Sequence, residues 1–331
     1  MTARDKLIAA FLAAKGFAAS KAEPLAQDAS FRRYLRLSGG PRPAVVMDAP
    51  PPEDVRPFLA IAAHLSGLGL SVPEIIAADA AQGLVLEEDL GDTLFPTIMS
   101  DETTPELFDA AVDALAAIQR GSVPAGLPLW DAASMRDTAL GTLCDWWWPE
   151  AYGAPAPDAA RAAFADALNE MLVPVANGPV CLVHRDFFAG NLIWLPDRGG
   201  VRRVGVIDFQ SAALGHPAYD LVSLVQDARR DIPPEIAVRA KTRLLAARPE
   251  LDPAAFDAAF AACAAQRHLR VAAQWVRLAR RDRRPQYLTY GPRTWMLLQA
   301  ALRHKAAAPL ARVMDRWIPP AMRGNPAGLA A

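Results

Sequence analysis

The chain has 331 residues, room for one large or two modest domains. Apolar residues make up 52% of it, which excludes wholesale disorder, and 35 basic against 36 acidic residues exclude a global pull toward nucleic acid or an anionic membrane surface. Cys144, Cys181 and Cys263 stand far apart with no CxxC pair, so neither a disulfide framework nor a zinc knuckle is expected, and a reducing cytoplasmic setting fits.

Near the N-terminus, Arg4 and Lys6 precede an apolar stretch at 7–14 that superficially resembles a signal peptide. It is short, preceded by Asp5 and closed by Lys15-Gly16, so it reads as a small amphipathic helix with a glycine stop. No uninterrupted apolar run approaches the ~20 residues of a membrane span. Residues 30–37 read as a strand, Ser38-Gly39-Gly40-Pro41 as a turn and 44–47 as a second strand, together a hairpin. After a Pro-rich break, 53–68 has helical period, with Phe58, Leu59, Ala62 and Leu65 on one stripe. Two further apolar runs, Ile75-Ile76 and 83–86, have strand character. Four strands and one inserted helix make a small α+β lobe at 1–88, with a hinge near 88–91.

From about Asp92 the texture changes. The rest is Ala-rich, with 3.6-period segments at 105–120, 158–174, 254–280 and 293–305. Only β-like islands at 180–183 with 192–195, and at 204–207, interrupt them. The expected fold is α+β: a small antiparallel-sheet lobe, then a larger, mostly helical lobe at 89–331. There is no internal repeat.

The strongest chemical signal is His184-Arg185-Asp186-Phe187-Phe188-Ala189-Gly190-Asn191, an H-R-D-x-x-x-x-N pattern entered from one apolar run and left into another. A second motif, Ile207-Asp208-Phe209-Gln210, follows a further short strand. Phosphoryl transfer needs an aspartate that orients the attacking hydroxyl and accepts its proton, and oxygen ligands for a Mg²⁺ that bridges nucleotide phosphates. A strand-loop-strand hairpin would let Asp186 and Asn191 converge, with Asp208 delivered by the next strand end and His184 bracing the loop.

Here the chain resembles the aminoglycoside phosphotransferase/choline kinase-like branch of the protein-kinase fold. The resemblance implies a bilobal kinase with Asp186 as catalytic base and Asn191 and Asp208 as Mg²⁺ ligands. Gln210, where protein kinases carry the glycine of D-F-G, is usual for the small-molecule branch. Gly215-His216-Pro217-Ala218-Tyr219-Asp220-Leu221 fits that branch too, with Asp220 as a loop anchor.

The nucleotide lobe departs from the kinase pattern. In place of a Gly-rich loop stands Asp28-Ala29-Ser30-Phe31-Arg32-Arg33-Tyr34, and in place of V-A-I-K stands Ala44-Val45-Val46-Met47. No lysine lies between Lys21 and Lys241. Phosphate charge still needs neutralising, so Arg32 or Arg33 is expected to supply it, with Ser30 adding hydroxyl and amide donors. Glu53 or Asp54 either positions that arginine or caps the following helix. The resemblance implies that adenine sits in an apolar slot and bonds hinge backbone near Glu88 and Leu90.

The segments 28–34 and Met47-Asp48-Ala49-Pro50-Pro51, with Gln266-Arg267-His268-Leu269-Arg270, Arg277-Leu278, Arg281-Asp282 and Tyr287-Leu288, are similar to the bacterial anomeric kinases of N-acetylmuramate and N-acetylglucosamine in cell-wall recycling. That resemblance implies ATP and Mg²⁺ as cofactors, a small amino sugar as partner, an α-1-phosphate product and a monomer without nucleic-acid or membrane partners. A sugar pocket wants aromatic faces and polar groups, for which Trp147 among Trp146-Trp147-Trp148, Gln210, Asp227, Arg267 and His268 are the candidates, along with Asp186 itself. Competing readings are a kinase for another small alcohol, such as an aminoglycoside or choline, and a nucleotide-binding pseudokinase. The arginines at 267, 270 and 277 favour an anionic or neutral acceptor over a polycation. The run at 280–284 reads as a solvated helix end, not a nucleic-acid patch.

Overall fold

The computed structural model describes residues 2–25 and 32–329. Helix α1 (Ala3–Ala14) starts on a reciprocal cap: Thr2 Oγ1 accepts from Asp5 N–H, and the Asp5 carboxylate accepts from Thr2 N–H. Gly16, at φ 83°, ends it with a backbone that other residues rarely adopt.

Next come β1 (Lys21–Pro24), β2 (Arg33–Ser38), β3 (Ala44–Asp48), α2 (Arg56–Gly67), β4 (Ile75–Asp79) and β5 (Leu84–Glu88). The strands form one antiparallel sheet of order β1-β2-β3-β5-β4. Alternation gives each face its own job. Leu37, Ala44, Val46, Leu84 and Leu86 bury one face against Phe11 and Leu12 of α1. Tyr34, Met47, Val85 and Glu87, one step out of phase, belong to the other. The sheet has a strand more than the four expected from the sequence. Residues 21–24 are exposed throughout and carry no apolar alternation, and as an edge strand β1 tolerates Pro24.

Helices α3 (Phe95–Ile98) and α4 (Thr104–Arg120) follow. Beyond them lie β6 (Leu129–Trp130), α5 (Ala132–Thr142), a π-helical turn at Leu143–Trp147, α6 (Trp148–Tyr152), α7 (Asp158–Met171), α8 (Val173–Ala176) and β7 (Cys181–Val183). The chain continues through β8 (Leu192–Trp194), β9 (Val204–Val206), β10 (Ala213–Gly215), α9 (Ala218–Val225), α10 (Pro234–Ala247), α11 (Pro253–Arg281), α12 (Gly291–Ala301) and α13 (Ala308–Trp317). Among the described residues, no helix is long and apolar enough to cross a membrane.

By compactness the chain divides into two units, Met1–Ile118 with Gly190–Ser211, and Gln119–Ala189 with Ala212–Ala331. The sequence-based division at 88/89 follows the change of texture instead. The first unit reaches past it to take α3, nearly all of α4 and the β8–β9 pair.

One expectation needs correcting. The strands flanking the H-R-D motif do not form a hairpin. Strand β7 pairs antiparallel with β10, which also pairs parallel with β6, whereas β8 pairs antiparallel with β9. Two apolar runs separated by a short loop look like a hairpin, but this loop carries the chain from one unit into the other. In the second unit, the close approach at β10 demands a small residue: a Cβ at Gly215 would lie 3.0 Å from Val183 Cγ2 and 3.1 Å from Trp130 O. The 29-residue α11 runs through this unit, packed on α5, α9 and α12, with Ala262, Cys263, Leu269 and Val276 buried.

Candidate functional site

In the second unit, β7 ends at Val183 and hands the chain to His184, Arg185 and Asp186. The backbone N–H groups of His184 and Arg185 donate to the two oxygens of the Asp220 carboxylate at 2.6 and 2.8 Å. Asp220 sits in the first turn of α9 and is fully buried, and burial pushes its carboxyl up from the ordinary value. Arg185 is held at φ 73°, a conformation that costs a non-glycine residue about 1–2 kcal/mol. The two N–H bonds to Asp220 offset that cost. The buried His184 ring accepts from Asp186 N–H through Nδ1 at 3.3 Å.

Arg267 of α11 is buried against this loop. Its Nη1 donates to Arg185 O at 3.0 Å and to Tyr219 Oη at 3.3 Å, and its Nη2 lies 3.7 Å from Asp186 Oδ1. Asp186 sits deep among protein atoms, yet 43% of its side chain is open to solvent. Burial works to raise its carboxyl. The charges of Arg267 first, then Arg270, His184 and Arg185, prevail and hold it below the ordinary carboxylate value. The result is an ionised, solvent-reachable carboxylate on a fixed loop, the state a general base requires.

In the first unit, Asn191 O accepts from Ile207 N–H at 3.1 Å, which ties the start of β8 to the end of β9. Asp208 follows at φ 64°. Its Oδ2 accepts from Asn191 Nδ2 at 3.3 Å and its Oδ1 from Gln210 Nε2 at 2.5 Å. A carboxylate and a carboxamide in contact are hard-oxygen donors of the kind Mg²⁺ prefers. That ion commonly takes only one or two carboxylates, completing its shell with water and phosphate oxygens. No cluster of three or more His, Cys, Asp or Glu fit for a metal occurs among the described residues. The Asn191–Asp208 pair fits such an ion by the chemistry of its donors.

On the sheet, the structure separates the two arginines. Arg33 pairs through Nε and Nη2 with the fully buried Asp48, which Arg4 also binds. Arg32 is 8% exposed and donates from Nε to Glu53 at 3.3 Å. Of the two carboxylates that open the next segment, Glu53 thus reaches Arg32, while Asp54 pairs with Arg56. Burial first, then the Glu87 charge, pushes up the hydroxyl of Tyr34 on the face opposite α1, while Arg32 acts to lower it. Ser30 lies outside the described residues. Glu88 is committed within the sheet: its N–H donates to Glu74 O, and its carboxylate binds Arg198 at 2.7 Å. Leu90 packs beside Gly205.

Three sugar-contact candidates are internal instead. Trp147 is fully buried, donates to Gly324 O at 2.9 Å and packs on Trp295. Asp227 is buried and accepts from Arg229 N–H and Arg230 Nε. His268 is buried against Gln226 Oε1 at 2.8 Å, and desolvation first, then Arg267, pushes its imidazole down to about 3. A polar residue or tryptophan near a motif looks the same in sequence whether it faces a ligand or braces a core.

Sequence reasoning passed over Glu87, a buried carboxyl on the sheet face opposite α1 that desolvation pushes up to about 8. Its signal was the alternation of Leu84 and Leu86 with Val85 and Glu87. It also missed Trp130 and Tyr219, whose rings meet edge-to-face at 5.6 Å, with the Arg185 guanidinium 3.9 Å above Trp130.

The profile of the phosphotransferase enzyme family, abbreviated APH, matches residues 21–256. A protein of Caulobacter vibrioides named N-acetylmuramate/N-acetylglucosamine kinase is 37% identical, over 96% of this chain and 97% of its own. One of the same name from Pseudomonas aeruginosa is 36% identical, over 84% and 83%. Among solved structures, a choline/ethanolamine kinase family protein of Mesorhizobium loti superposes with TM-score 0.65 at 16% identity, covering 94% of this chain and 99% of that one. A thermostable mutant of aminoglycoside phosphotransferase APH(4)-Ia, in ternary complex with ADP and hygromycin B, superposes with TM-score 0.59 at 16% identity, over 88% and 98%.

Proposed function

The chain belongs to the phosphotransferase enzyme family, and on that footing we propose that it is an ATP- and Mg²⁺-dependent sugar kinase. It transfers the γ-phosphoryl group to the anomeric C1 hydroxyl of N-acetylmuramate and N-acetylglucosamine, giving the α-1-phosphates. The observation that carries the reading is the 37% identity, over 96% of the chain, to a protein named as a kinase of those two sugars.

In the proposed reaction the C1 hydroxyl oxygen attacks the γ-phosphorus in line. The bond from that phosphorus to the ADP oxygen breaks, and the hydroxyl proton passes to the Asp186 carboxylate. Arg267 keeps Asp186 ionised and pins its loop through Arg185 O. Asn191 and Asp208 would hold Mg²⁺, which when bound neutralises phosphate charge. Arg32, oriented by Glu53, takes the part of the missing strand lysine and meets phosphate oxygens. Leu90 offers apolar surface to adenine, and Gln210 orients Asp208. The free, buried thiols Cys144, Cys181 and Cys263 fit the reducing cytoplasm.

The test is ADP release from MgATP against N-acetylmuramate, N-acetylglucosamine, 1-O-methyl N-acetylglucosamine, kanamycin and choline. Turnover with the free sugars and none with the 1-O-methyl sugar is expected. Asp186→Asn should cut it by about 10²–10⁴-fold while ATP still binds. Turnover confined to kanamycin or choline would sink the acceptor assignment, and near-wild-type turnover by Asp186→Asn would sink the assigned base.

A further inference from the structure

The second unit concentrates positive charge beside Asp186. Arg185 lies over one face of Trp130 at 3.9 Å, and the Arg270 guanidinium lies 5.9 Å from the same ring. Arg270 Nη2 reaches Tyr219 Oη at 3.4 Å, the hydroxyl to which Arg267 also donates. The carboxylates in this cluster are Asp186 and Asp220. Asp220 is taken up by the backbone of His184 and Arg185, and Asp186 has the Arg267 guanidinium at 3.7 Å.

Arg270 is left with cation neighbours, aromatic rings and the charge of Asp186, which Arg267 also serves. It makes no ion pair among the described residues, and its Nε is buried without a hydrogen-bond partner. The strain of this crowding registers elsewhere. Arg185 is pulled below its ordinary value by desolvation first, with Arg270 among the charges that add to it, and Arg277, two turns along α11, is lowered by desolvation, Arg281 and Arg270. A guanidinium crowded by other guanidinium groups, with a buried donor facing no acceptor and no ion pair of its own, has the chemistry to receive an anion.

Its position selects which anion. Arg270 follows Arg267 by about one helical turn, roughly 4.5 Å along the axis of α11. Arg267 touches the base that receives the C1 proton. The two proposed sugars differ at C3, two ring carbons from that hydroxyl, where N-acetylmuramate carries a lactyl ether with a carboxylate and N-acetylglucosamine a bare hydroxyl.

We propose that Arg270 is the specificity residue of this kinase, receiving the lactyl carboxylate of N-acetylmuramate through its guanidinium, with Tyr219 Oη fixing the guanidinium's orientation. The inference rests on the proposed function and deepens it.

The experiment is steady-state kinetics of the full chain with saturating MgATP and three acceptors: N-acetylmuramate, its lactyl methyl ester and N-acetylglucosamine. Wild-type protein is compared with Arg270→Gln and Arg270→Lys. In Arg270→Gln, kcat/KM for N-acetylmuramate should fall about 10- to 100-fold, the scale of one charge-assisted hydrogen-bonded pair, and the fall should appear in KM. N-acetylglucosamine and the methyl ester lose only what Arg270 adds to the charge around Asp186, where Arg267 remains as the larger influence, so they should move less than about threefold, and their turnover also certifies the fold. Arg270→Lys, which keeps the charge without the fork, should recover part of the loss. Equal falls for all three acceptors, or a raised KM for ATP, would place Arg270 on the phosphate or in the scaffold and overturn the inference. If the glutamine variant is inactive on every acceptor, the lysine variant decides by the same ratio. Wild-type protein inert on both sugars would overturn the proposed function, and this inference with it.

Discussion

Asp220 is the residue on which the loop of the proposed base hangs, and Asp220→Ala measures how much. The substitution strips the acceptor from two buried backbone N–H groups, those of His184 and Arg185. Leaving a buried donor unsatisfied costs about 1–3 kcal/mol. Part of that is offset, because burial disfavours the ionised Asp220 carboxylate that is removed. The net cost is about 2–4 kcal/mol, which for a unit of this size lowers Tm by about 5–15 °C. Arg185 also loses what compensates its φ of 73°, so the loop relaxes and Asp186 moves with it. A displacement of about 1 Å at a catalytic group costs on the order of 100-fold in turnover. Thermal denaturation followed by circular dichroism and an ADP-release assay read the two effects separately, with KM for ATP expected within about twofold of wild type. Asp220→Asn, which keeps one acceptor oxygen, should fall between. An Asp220→Ala protein that melts within about 1 °C of wild type and turns over normally would show that Asp220 does not hold the loop.

Three further outcomes follow from buried groups. His216 is held down to about 4 by desolvation and His268 to about 3, so between pH 6.5 and 4 the unfolded chain takes up protons that the folded chain refuses. Stability is therefore fully present above pH 6.5 and falls as pH drops through that window, and in a Tm–pH profile His216→Gln should flatten the acid limb. Glu87 behaves oppositely: its folded value of about 8 lies above the unfolded 4.5, so its contribution is full below pH 4.5 and lost as pH rises to 8, and Glu87→Gln should lift the alkaline limb. An unchanged limb in either variant would refute the corresponding burial argument. Trp147→Ala should cost about 3–5 kcal/mol by emptying a core position while leaving KM for either sugar unchanged. A tenfold rise in sugar KM at constant Tm would return Trp147 to the substrate site.

What the sequence made legible follows from what local pattern can encode. Strands β2, β3, β4 and β5 announce themselves because one face of each must meet apolar partners, and helices α2, α4, α7 and α11 because burial repeats every 3.6 residues. Strand β1 buries nothing, so its composition carries no trace of pairing with β2. Strands β6 and β10 are too short to show alternation, and their pairing with each other and with β7 is a long-range fact. Missing β10 is what made β7 and β8 look like a hairpin. The division into units is obscured for the same reason: α3, α4 and the β8–β9 pair have the texture of the later chain but pack with the earlier one.

The site divides along a similar line. Asp186, Asn191 and Asp208 are readable because short loops tie each to a strand end, so spacing alone fixes where they emerge. Arg267, His268 and Arg270 sit within four residues on one helix, and no property of the sequence separates them. The fold does, by what it packs opposite each. His268 meets Gln226 and desolvation, so it becomes a neutral brace. Arg267 meets Arg185 O and Asp186, so it becomes the counter-ion of the proposed base. Arg270, part-buried beside Trp130 and Tyr219, makes no ion pair with a carboxylate among the described residues. A guanidinium kept at that cost, one turn from the counter-ion of the proposed base, fits recognition better than scaffolding. A scaffold would be better served by an apolar side chain there, since replacing a buried charge by well-packed apolar atoms is commonly neutral or stabilising.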